Sequence, residues 1–305
     1  MIAVSTALRS EVTRSGKEII EAILDLGLNR VELEYRITES MLKEILSFWR
    51  RGEIEVVSVH NFFPRPEEIP ENAPSIPDYF ALSSPDPDER KRALKYAKRT
   101  IEWAEELGAR AVVFHLGKIP MGEVMKELKK LYDAQKMETA ETKNYIQEQK
   151  KIREEKGQAY LPGALRSLDV LAAEAEKRKL GIGLECRYNL IDFPNLAEFQ
   201  IIFKEFAGSP IGYWHDVGHA AAQERLGLTP QKEFLEHLGP WLIGTHLHGC
   251  NGYEDHEAPG KGEVDLETLR KFLKPQTLRV IETHHRATKK ELLEGIEFLK
   301  EKGMI

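Results

Sequence analysis

Residues 54–60, IEVVSVH, form a short apolar run that ends in a histidine, and residues 110–116, RAVVFHL, repeat the pattern. Between them, residues 88–107 carry apolar side chains at helical spacing, and Gly108 follows at the point where a helix would end. A strand, a helix and a second strand in this order are typical of a parallel βαβ unit.

The same alternation extends in both directions along the chain. Eight β-rich runs are present, at residues 2–6, 30–34, 54–60, 110–116, 181–186, 210–216, 241–248 and 277–283. Helical patterns fill most of the gaps, at residues 17–27, 38–50, 88–107, 195–206, 231–238, 266–272 and 289–300. Eight strand–helix units are the number that closes a (β/α)8 barrel of about 250 residues. We therefore predict an α/β fold, with a single TIM barrel over residues 1–305.

Two segments account for the extra length. Residues 61–87 are rich in proline and predict a long loop after strand three. Residues 121–157 are very polar and predict an inserted helical arm after strand four, because the apolar positions share one helix face. These positions are Val124, Leu128, Leu131 and Tyr132. The arm could be a solvated excursion, a lid over a site or a dimerisation element, so a homo-oligomer is an open alternative.

Composition excludes several classes of protein. The 305 residues are 41% hydrophobic and 31% charged, as in an ordinary soluble globular protein. The formal charge of −6 argues against broad nucleic-acid binding. No apolar run approaches the ~20 residues of a membrane helix, and the first ten residues lack the apolar segment of a signal peptide. Two cysteines, Cys186 and Cys250, cannot form a disulfide framework, so we expect a cytoplasmic protein.

Acidic residues and histidines recur where the predicted strands end, which is where TIM-barrel chemistry takes place. These residues are Glu32 or Glu34, His60, His115, Glu185, Asp216, His246 and Glu282. The last four are separated by 31, 30 and 36 residues, each about one strand–helix unit, so they should meet in one ring. Loop residues His219, Glu254 and His256 are further candidates. Mixed carboxylate and imidazole ligands suit Mn, Zn, Co or Fe, whereas a Mg site would normally contain fewer histidines.

Each residue also has an ordinary structural interpretation. A single histidine or glutamate at a strand end is more often a structural residue or a substrate contact than a metal ligand. Four in register on consecutive strands favour a metal, because buried carboxylates without a cation or partner cost several kcal/mol each. His215 alternates to the opposite face and should pack against helices or support the site. His248 could be a ligand or a substrate contact, and His284 and His285 could support the site or contact substrate.

Five segments together resemble the xylose-isomerase-like TIM-barrel superfamily of sugar isomerases and epimerases, inosose-type dehydratases and isomerases, and endonuclease IV. They are Gly183-Leu184-Glu185, the run from His215 to Ala220, the run from His246 to Gly249, the run from Asp255 to Asp265, and Ile281-Glu282. Resemblance to the epimerases implies a metal site formed by Glu185, Asp216, His246 and Glu282. Resemblance to endonuclease IV extends the set to His60, His115, His219, Glu254 and His256, although that nuclease has an aspartate where Glu254 stands. The full set implies one to three divalent ions per chain, of Mn, Zn, Co or Mg.

We expect a metal-dependent isomerase or epimerase of a sugar or sugar phosphate. A metal-stabilised enediolate would form as Glu185 and Glu282 remove and return a proton. Arg187 and Lys118 would bind substrate, or would instead form salt bridges at the barrel rim. The alternatives are an endonuclease IV-like phosphodiesterase and a dehydratase, lyase or non-catalytic sugar-binding barrel. Nucleic acid is an unexpected partner, because basic residues are scattered over the predicted loops.

Overall fold

The computed structural model describes residues 2–70, 72–73 and 75–305, and its centre is a closed parallel barrel. The eight strands are β1 (Ala3–Ser5), β2 (Arg30–Leu33), β3 (Glu55–His60), β4 (Ala111–Phe114), β5 (Gly181–Glu185), β6 (Ile211–Asp216), β7 (Leu242–Leu247) and β8 (Leu278–Ile281). Each strand pairs with its neighbours in sequence, and β1 pairs with β8 to close the ring. All eight predicted strands are present, each with slightly shorter ends, and the TIM-barrel prediction is confirmed.

Helices surround the barrel. They are α1 (Ala7–Ser10), α2 (Gly16–Leu24), α3 (Glu39–Arg50), α4 (Pro87–Glu106), α5 (Val124–Asp133), α6 (Ala140–Gly157), α7 (Leu161–Lys177), α8 (Leu196–Glu205), α9 (Val217–Arg225), α10 (Gln231–Leu238), α11 (Leu266–Phe272) and α12 (Lys289–Glu301). Helices α1 and α7 were not predicted, and neither was α9. It begins directly after β6 because the Asp216 side chain accepts a hydrogen bond from the backbone N–H of His219 at 2.7 Å. Within residues 2–70, 72–73 and 75–305, no helix is both long and apolar enough to cross a bilayer.

The apolar core has two layers. The larger one lies between the strands and the surrounding helices. A smaller cluster fills the barrel interior and comprises Ala3, Val57, Ala111, Val113, Trp214, Leu278 and Val280. The Trp214 ring passes so close to β7 that a Cβ at Gly244 would lie 2.1 Å from its Cζ3 atom. Glycine is therefore required there. The indole closes the barrel beneath His246, whose ring centroid is 5.3 Å away.

The predicted arm consists of α5 and α6, and α7 returns the chain to β5. The arm is more than a solvated excursion, because its apolar face forms a separate cluster with residues that follow α9. Arg153 of α6 is buried and pairs with both carboxylate oxygens of Glu198, and it donates to the carbonyl oxygen of Asp192 at 2.8 Å. These contacts fix α6 to the barrel side. The roles of lid and dimerisation element stay predictions.

Candidate metal centre

A cavity of about 450 Å³ opens at the carboxyl ends of the strands. Its floor includes His60, His115, Glu185 and Glu282, which end or follow β3, β4, β5 and β8. Parallel strands bring these residues together because all their carboxyl ends face the same side of the barrel.

Four predicted ligands form one buried cluster, in which one donor atom of each lies within 4.8 Å of the others. The members are Glu185, Asp216, His246 and Glu282. His246 is at the centre, with its Nδ1 atom 2.9 Å from Glu282 Oε2 and 3.1 Å from Glu185 Oε1. The same atom lies 3.5 Å from Asp216 Oδ2. We call this group the four-residue cluster.

A second cluster comprises His60, His115 and Glu185. Glu185 Oε2 lies 3.2 Å from His60 Nε2 and 2.5 Å from His115 Nε2. The other oxygen of Glu185 faces the four-residue cluster, so this single carboxylate joins both groups. We call this group the two-histidine cluster.

A third cluster comprises Asp216, His219 and His256. His219 Nδ1 lies 3.7 Å from Asp216 Oδ2. Asp255, absent from the predicted ligands, lies beside it, with its Oδ1 atom 3.1 Å from His256 Nδ1 and its Oδ2 atom 3.6 Å from His219 Nε2. We call this group the hairpin cluster, because His256 lies on the ribbon formed by Gly249–Asn251 and Glu254–Glu257.

Glu254 does not join the centre. Its side chain is 56% exposed and lies 3.8 Å from Arg286. Neighbouring side chains of a strand point to opposite faces, so turning Asp255 inward turns Glu254 outward. The left-handed backbone of His256, with φ of 58°, breaks the alternation and lets His256 lie on the same side as Asp255. This difference from the prediction could not be read from residue spacing, because it depends on one backbone angle.

The ionisation of these clusters is set by their mutual contacts. Burial alone would raise the pKa of Glu185, but the charge and hydrogen bond of His246, with the hydrogen bond of His60, outweigh it and hold that pKa well below its usual range. Burial would likewise raise the pKa of Glu282, but the charges and hydrogen bonds of His246 and His256 lower it well below its usual value. Conversely, burial would lower the pKa of His246, but Glu282, Glu32 and Glu185 raise it well above 6.5.

The donor set fits divalent cations. Glu185, Asp216 and Glu282 are all at most 5% exposed and lie around one imidazole, so their negative charges are concentrated away from water. Buried carboxylates at such density need compensating positive charge. Nitrogen and carboxylate oxygen donors together suit Zn, Mn or Co. Mg²⁺ is the least suited, because it prefers oxygen ligands.

Other polar residues orient the donors. Glu32 lies 3.0 Å from His246 Nε2 and accepts a hydrogen bond from the Ser58 hydroxyl at 2.7 Å. His248 Nε2 lies 2.9 Å from Asp216 Oδ1, which favours a supporting role over ligation. Such partners fix the ring orientation of metal-binding histidines.

The remaining histidines have separate positions. His215 faces the Tyr213 hydroxyl at 2.7 Å, outside the clusters, and burial lowers its pKa to about 4. His284 stacks on His256 with ring centroids 3.9 Å apart, whereas His285 lies 2.9 Å from Glu11 at the cavity edge. His237 is exposed on α10.

Arg187 and Lys118 lie close together because both pair with Asp78. Asp78 Oδ2 is 3.1 Å from Lys118 Nζ and 3.4 Å from Arg187 Nη2. The buried Asp78 carboxylate belongs to the proline-rich loop and was not among the predicted site residues. That loop has no periodicity that would reveal which side chain turns inward. Arg187 also lines the cavity, so the salt-bridge and substrate-contact interpretations are compatible there.

Comparisons with known proteins agree with this architecture. The uncharacterized protein MJ1311 of Methanocaldococcus jannaschii is 24% identical over 271 residues, which cover 87% of this chain and 76% of that protein. The crystal structure of a D-tagatose 3-epimerase-like protein superposes with a TM-score of 0.68 at 20% identity, covering 99% of this chain and 97% of the other. The D-psicose 3-epimerase of Clostridium cellulolyticum H10 gives a TM-score of 0.66 at 15% identity, with 98% of both chains covered.

At these identities the two structures establish a common fold only. The sequence profile described as xylose isomerase-like TIM barrel matches residues 20–302, which is nearly the whole chain. The chain therefore belongs to the xylose isomerase-like TIM-barrel family.

Proposed function

We propose that this chain is a metal-dependent isomerase or epimerase of a small sugar or sugar derivative. The observation that carries the proposal is the four-residue cluster, buried at the floor of a cavity whose volume suits a monosaccharide. Its two glutamates come from strands three apart in the ring, so they approach the cavity from different sides. The structural similarity to proteins described as sugar epimerases supports the same class.

Glu282 is the better placed of the two proposed bases. A divalent cation held by the four-residue cluster would polarise the substrate carbonyl and acidify the neighbouring C–H bond. Glu282 uses Oε2 toward His246 and His256, which leaves Oε1 to take the proton from that carbon. Return of the proton to the adjacent carbon, with the hydroxyl proton passing from one oxygen to the other, gives an isomer. Return to the opposite face of the same carbon gives an epimer.

Glu185 is more constrained as a partner base. Its Oε1 atom faces His246 and His219, and its Oε2 atom faces His60 and His115. It can exchange a proton with substrate only when one of these contacts is released. We therefore assign the first proton transfer to Glu282 and the return step to Glu185.

An anionic group on the substrate is supported by the arginines that line the cavity. They are Arg14, Arg36, Arg65 and Arg187. Arg36 is paired with Glu11 and Glu34, and Arg187 with Asp78 and Asp192. Within the described ranges, Arg14 and Arg65 have backbone carbonyls as their hydrogen-bond acceptors and lie in no ion pair. Two guanidinium groups without a carboxylate partner among the described residues favour a sugar phosphate or a sugar acid over a neutral sugar.

A second function is favoured by a separate observation. Glu185 joins two clusters through different oxygens, and Asp216 belongs to both the four-residue and the hairpin clusters. Carboxylates shared in this way suit a centre of two or three cations, and such centres stabilise both oxygens of a phosphoester displacement. Phosphoester hydrolysis is therefore the second candidate activity.

Proton exchange distinguishes the two candidates. The protein, loaded in turn with Mn²⁺, Co²⁺ or Zn²⁺, is incubated in D₂O with aldoses, ketoses and their phosphates, and loss of C–H signal is followed by NMR. We expect exchange with the wild type and the control Glu254→Gln, and a rate lower by roughly 10²-fold or more for Glu282→Gln. Metal content is measured on every sample. Absence of exchange with every sugar, together with cleavage of bis(p-nitrophenyl) phosphate, would replace the first proposal with the second.

A further inference from the structure

The hairpin that carries Asp255 and His256 is a short ribbon. Gly249–Asn251 pairs antiparallel with Glu254–Glu257. A two-stranded ribbon alone is at best marginally stable in water. His256 also has a backbone φ of 58°, a region that residues other than glycine occupy only when their surroundings impose it. The orientation of this candidate ligand must therefore depend on what packs against the ribbon.

The arm supplies this packing through Tyr253, at the turn of the ribbon. The Tyr253 hydroxyl donates to Asp133 Oδ2 at 3.0 Å, and its ring meets that of Tyr132 edge-on with centroids 5.4 Å apart. Lys129 Nζ lies 4.9 Å from the centroid of the same ring. The Tyr188 hydroxyl donates to the Tyr253 carbonyl oxygen at 2.7 Å. The turn is thus held by α5 on one side and by the segment after β5 on the other.

The arm also supports His219, the other histidine of the hairpin cluster. Lys150 of α6 donates to the carbonyl oxygens of Gly227 and Leu228, which directly follow α9. His219 lies in the first turn of α9, and the Tyr188 ring stands edge-on to it at 6.2 Å. Leu226 and Leu228 also share an apolar cluster with residues of α5 and α6.

The other two clusters have a different support. His60, Glu185, Asp216 and His246 belong to barrel strands, and His115 and Glu282 directly follow β4 and β8. Changes in the arm should therefore reach the hairpin cluster and leave the barrel ligands in place.

We propose that the arm, residues 121–157, positions the hairpin cluster for a cation, and that Tyr253 is its positioning residue. The inference rests on the proposed metal centre but not on the choice of reaction. It gives the insertion a specific role, which is to complete a metal position that the barrel strands alone do not form.

Metal titration of the full chain tests the inference without using activity. The chelator-treated protein is titrated with Zn²⁺ against a chromophoric competitor, and Co²⁺ absorption spectra are recorded in parallel. Tyr253→Ala removes the ring and the hydroxyl, whereas Tyr253→Phe removes the hydroxyl alone. Tyr79→Ala is the control, because Tyr79 is also partly exposed but packs on Phe80 at 5.0 Å. Thermal unfolding confirms that each variant is folded.

We expect three classes of Zn²⁺ binding in the wild type. Tyr253→Ala should weaken one class by about tenfold or more, the scale found when a residue that supports a ligand is lost. Tyr253→Phe should weaken it less, and the other two classes and the control should keep their wild-type affinities. Equal weakening of all classes, no weakening of any, or fewer than three classes in the wild type would each overturn the inference. A wild type that binds one cation and still exchanges sugar protons would overturn this inference and leave the proposed function intact.

Discussion

Loading of the candidate centre with cations should release protons, because the carboxylates of each cluster raise the pKa of one of its histidines. His60 Nε2 lies 3.2 Å from Glu185, His246 Nδ1 lies 2.9 Å from Glu282, and His256 Nδ1 lies 3.1 Å from Asp255. Burial would lower the pKa of each imidazole, but the neighbouring carboxylates raise it above 6.5 in all three, and well above for His246 and His256.

The number of protons released follows from the directions of these pKa shifts. A cation binds the neutral imidazole, so a protonated ligand must first lose its proton. At pH 7, His246 and His256 should each release nearly one proton and His60 a fraction, which gives about two to three protons per fully loaded chain. Each released proton makes the free energy of cation binding more favourable by about 1.4 kcal/mol for each unit by which the pH rises, which is tenfold in affinity.

Calorimetry in buffers of different ionisation enthalpy measures this number. The observed enthalpy of Zn²⁺ binding, plotted against the enthalpy of protonation of the buffer, has the number of released protons as its slope. We expect a slope between about two and three at pH 7 and a smaller slope at pH 9, where the imidazoles begin nearer to neutrality. A slope near zero at pH 7 would show that the imidazoles are already neutral and would refute the reasoning.

The same groups give the metal-free protein a characteristic stability profile. A histidine whose folded pKa is raised above 6.5 contributes stability that is present below pH 6.5 and lost as the pH rises through the folded value. Glu185 and Glu282, whose pKa values are lowered from 4.5, contribute stability that is present above pH 4.5 and lost as the pH falls through the folded values. Urea unfolding should therefore find the metal-free chain most stable between about pH 4.5 and 6.5 and less stable toward alkaline pH. Saturating Zn²⁺ should remove the alkaline decline, and persistence of that decline would contradict this account.

Three further substitutions test the barrel and the cavity. Gly244→Ala places a methyl group against the buried indole of the barrel interior and should lower the free energy of unfolding in urea by about 1–3 kcal/mol; an unchanged midpoint would show that the ring can move aside. Arg153→Met leaves Glu198 without its buried partner and should cost about 3–5 kcal/mol in the same assay. Arg65→Met should weaken the competitive inhibition of the proposed sugar isomerisation by inorganic phosphate roughly tenfold, which is the size of one charge-assisted hydrogen bond. Arg110→Met, at the opposite end of the barrel, is its control and should match the wild type.

The barrel could be predicted because its signals are local and repeated. Each strand is a short run of apolar residues, and most of the helices between strands have their own periodicity. Helix α9 was missed because its composition, VGHAAAQER, lacks an amphipathic pattern and it is buried along most of its length. Its start depends on a cap from Asp216, a residue whose spacing in the sequence indicates only a metal ligand. One side chain serves both purposes.

The candidate site was predictable mainly where the strands deliver it. His60, His115, Glu185, Asp216, His246 and Glu282 come together because strand register fixes their positions. Outside the barrel strands the prediction was only partial: His219 and His256 were among the candidates, whereas Asp78 and Asp255 were not. Asp78 turns inward from a loop without periodicity, and Asp255 replaces Glu254 through the backbone angle of its neighbour.

Cation occupancy and the proposed reaction are coupled through Glu185. With the four-residue cluster alone occupied, Glu185 Oε2 still faces His60 and His115, and a shift of those imidazoles would free it to return a proton to substrate. A second cation in the two-histidine cluster would hold that oxygen as a ligand and leave Glu282 as the remaining base. Isomerisation should therefore fall as the second cation binds, whereas phosphoester cleavage, which needs a cation pair, should rise. Rates of both reactions, measured along one Zn²⁺ titration, connect the two proposed functions to the state of a single carboxylate. An isomerisation rate that stays constant from one to three cations per chain would show that Glu185 does not take part in proton transfer.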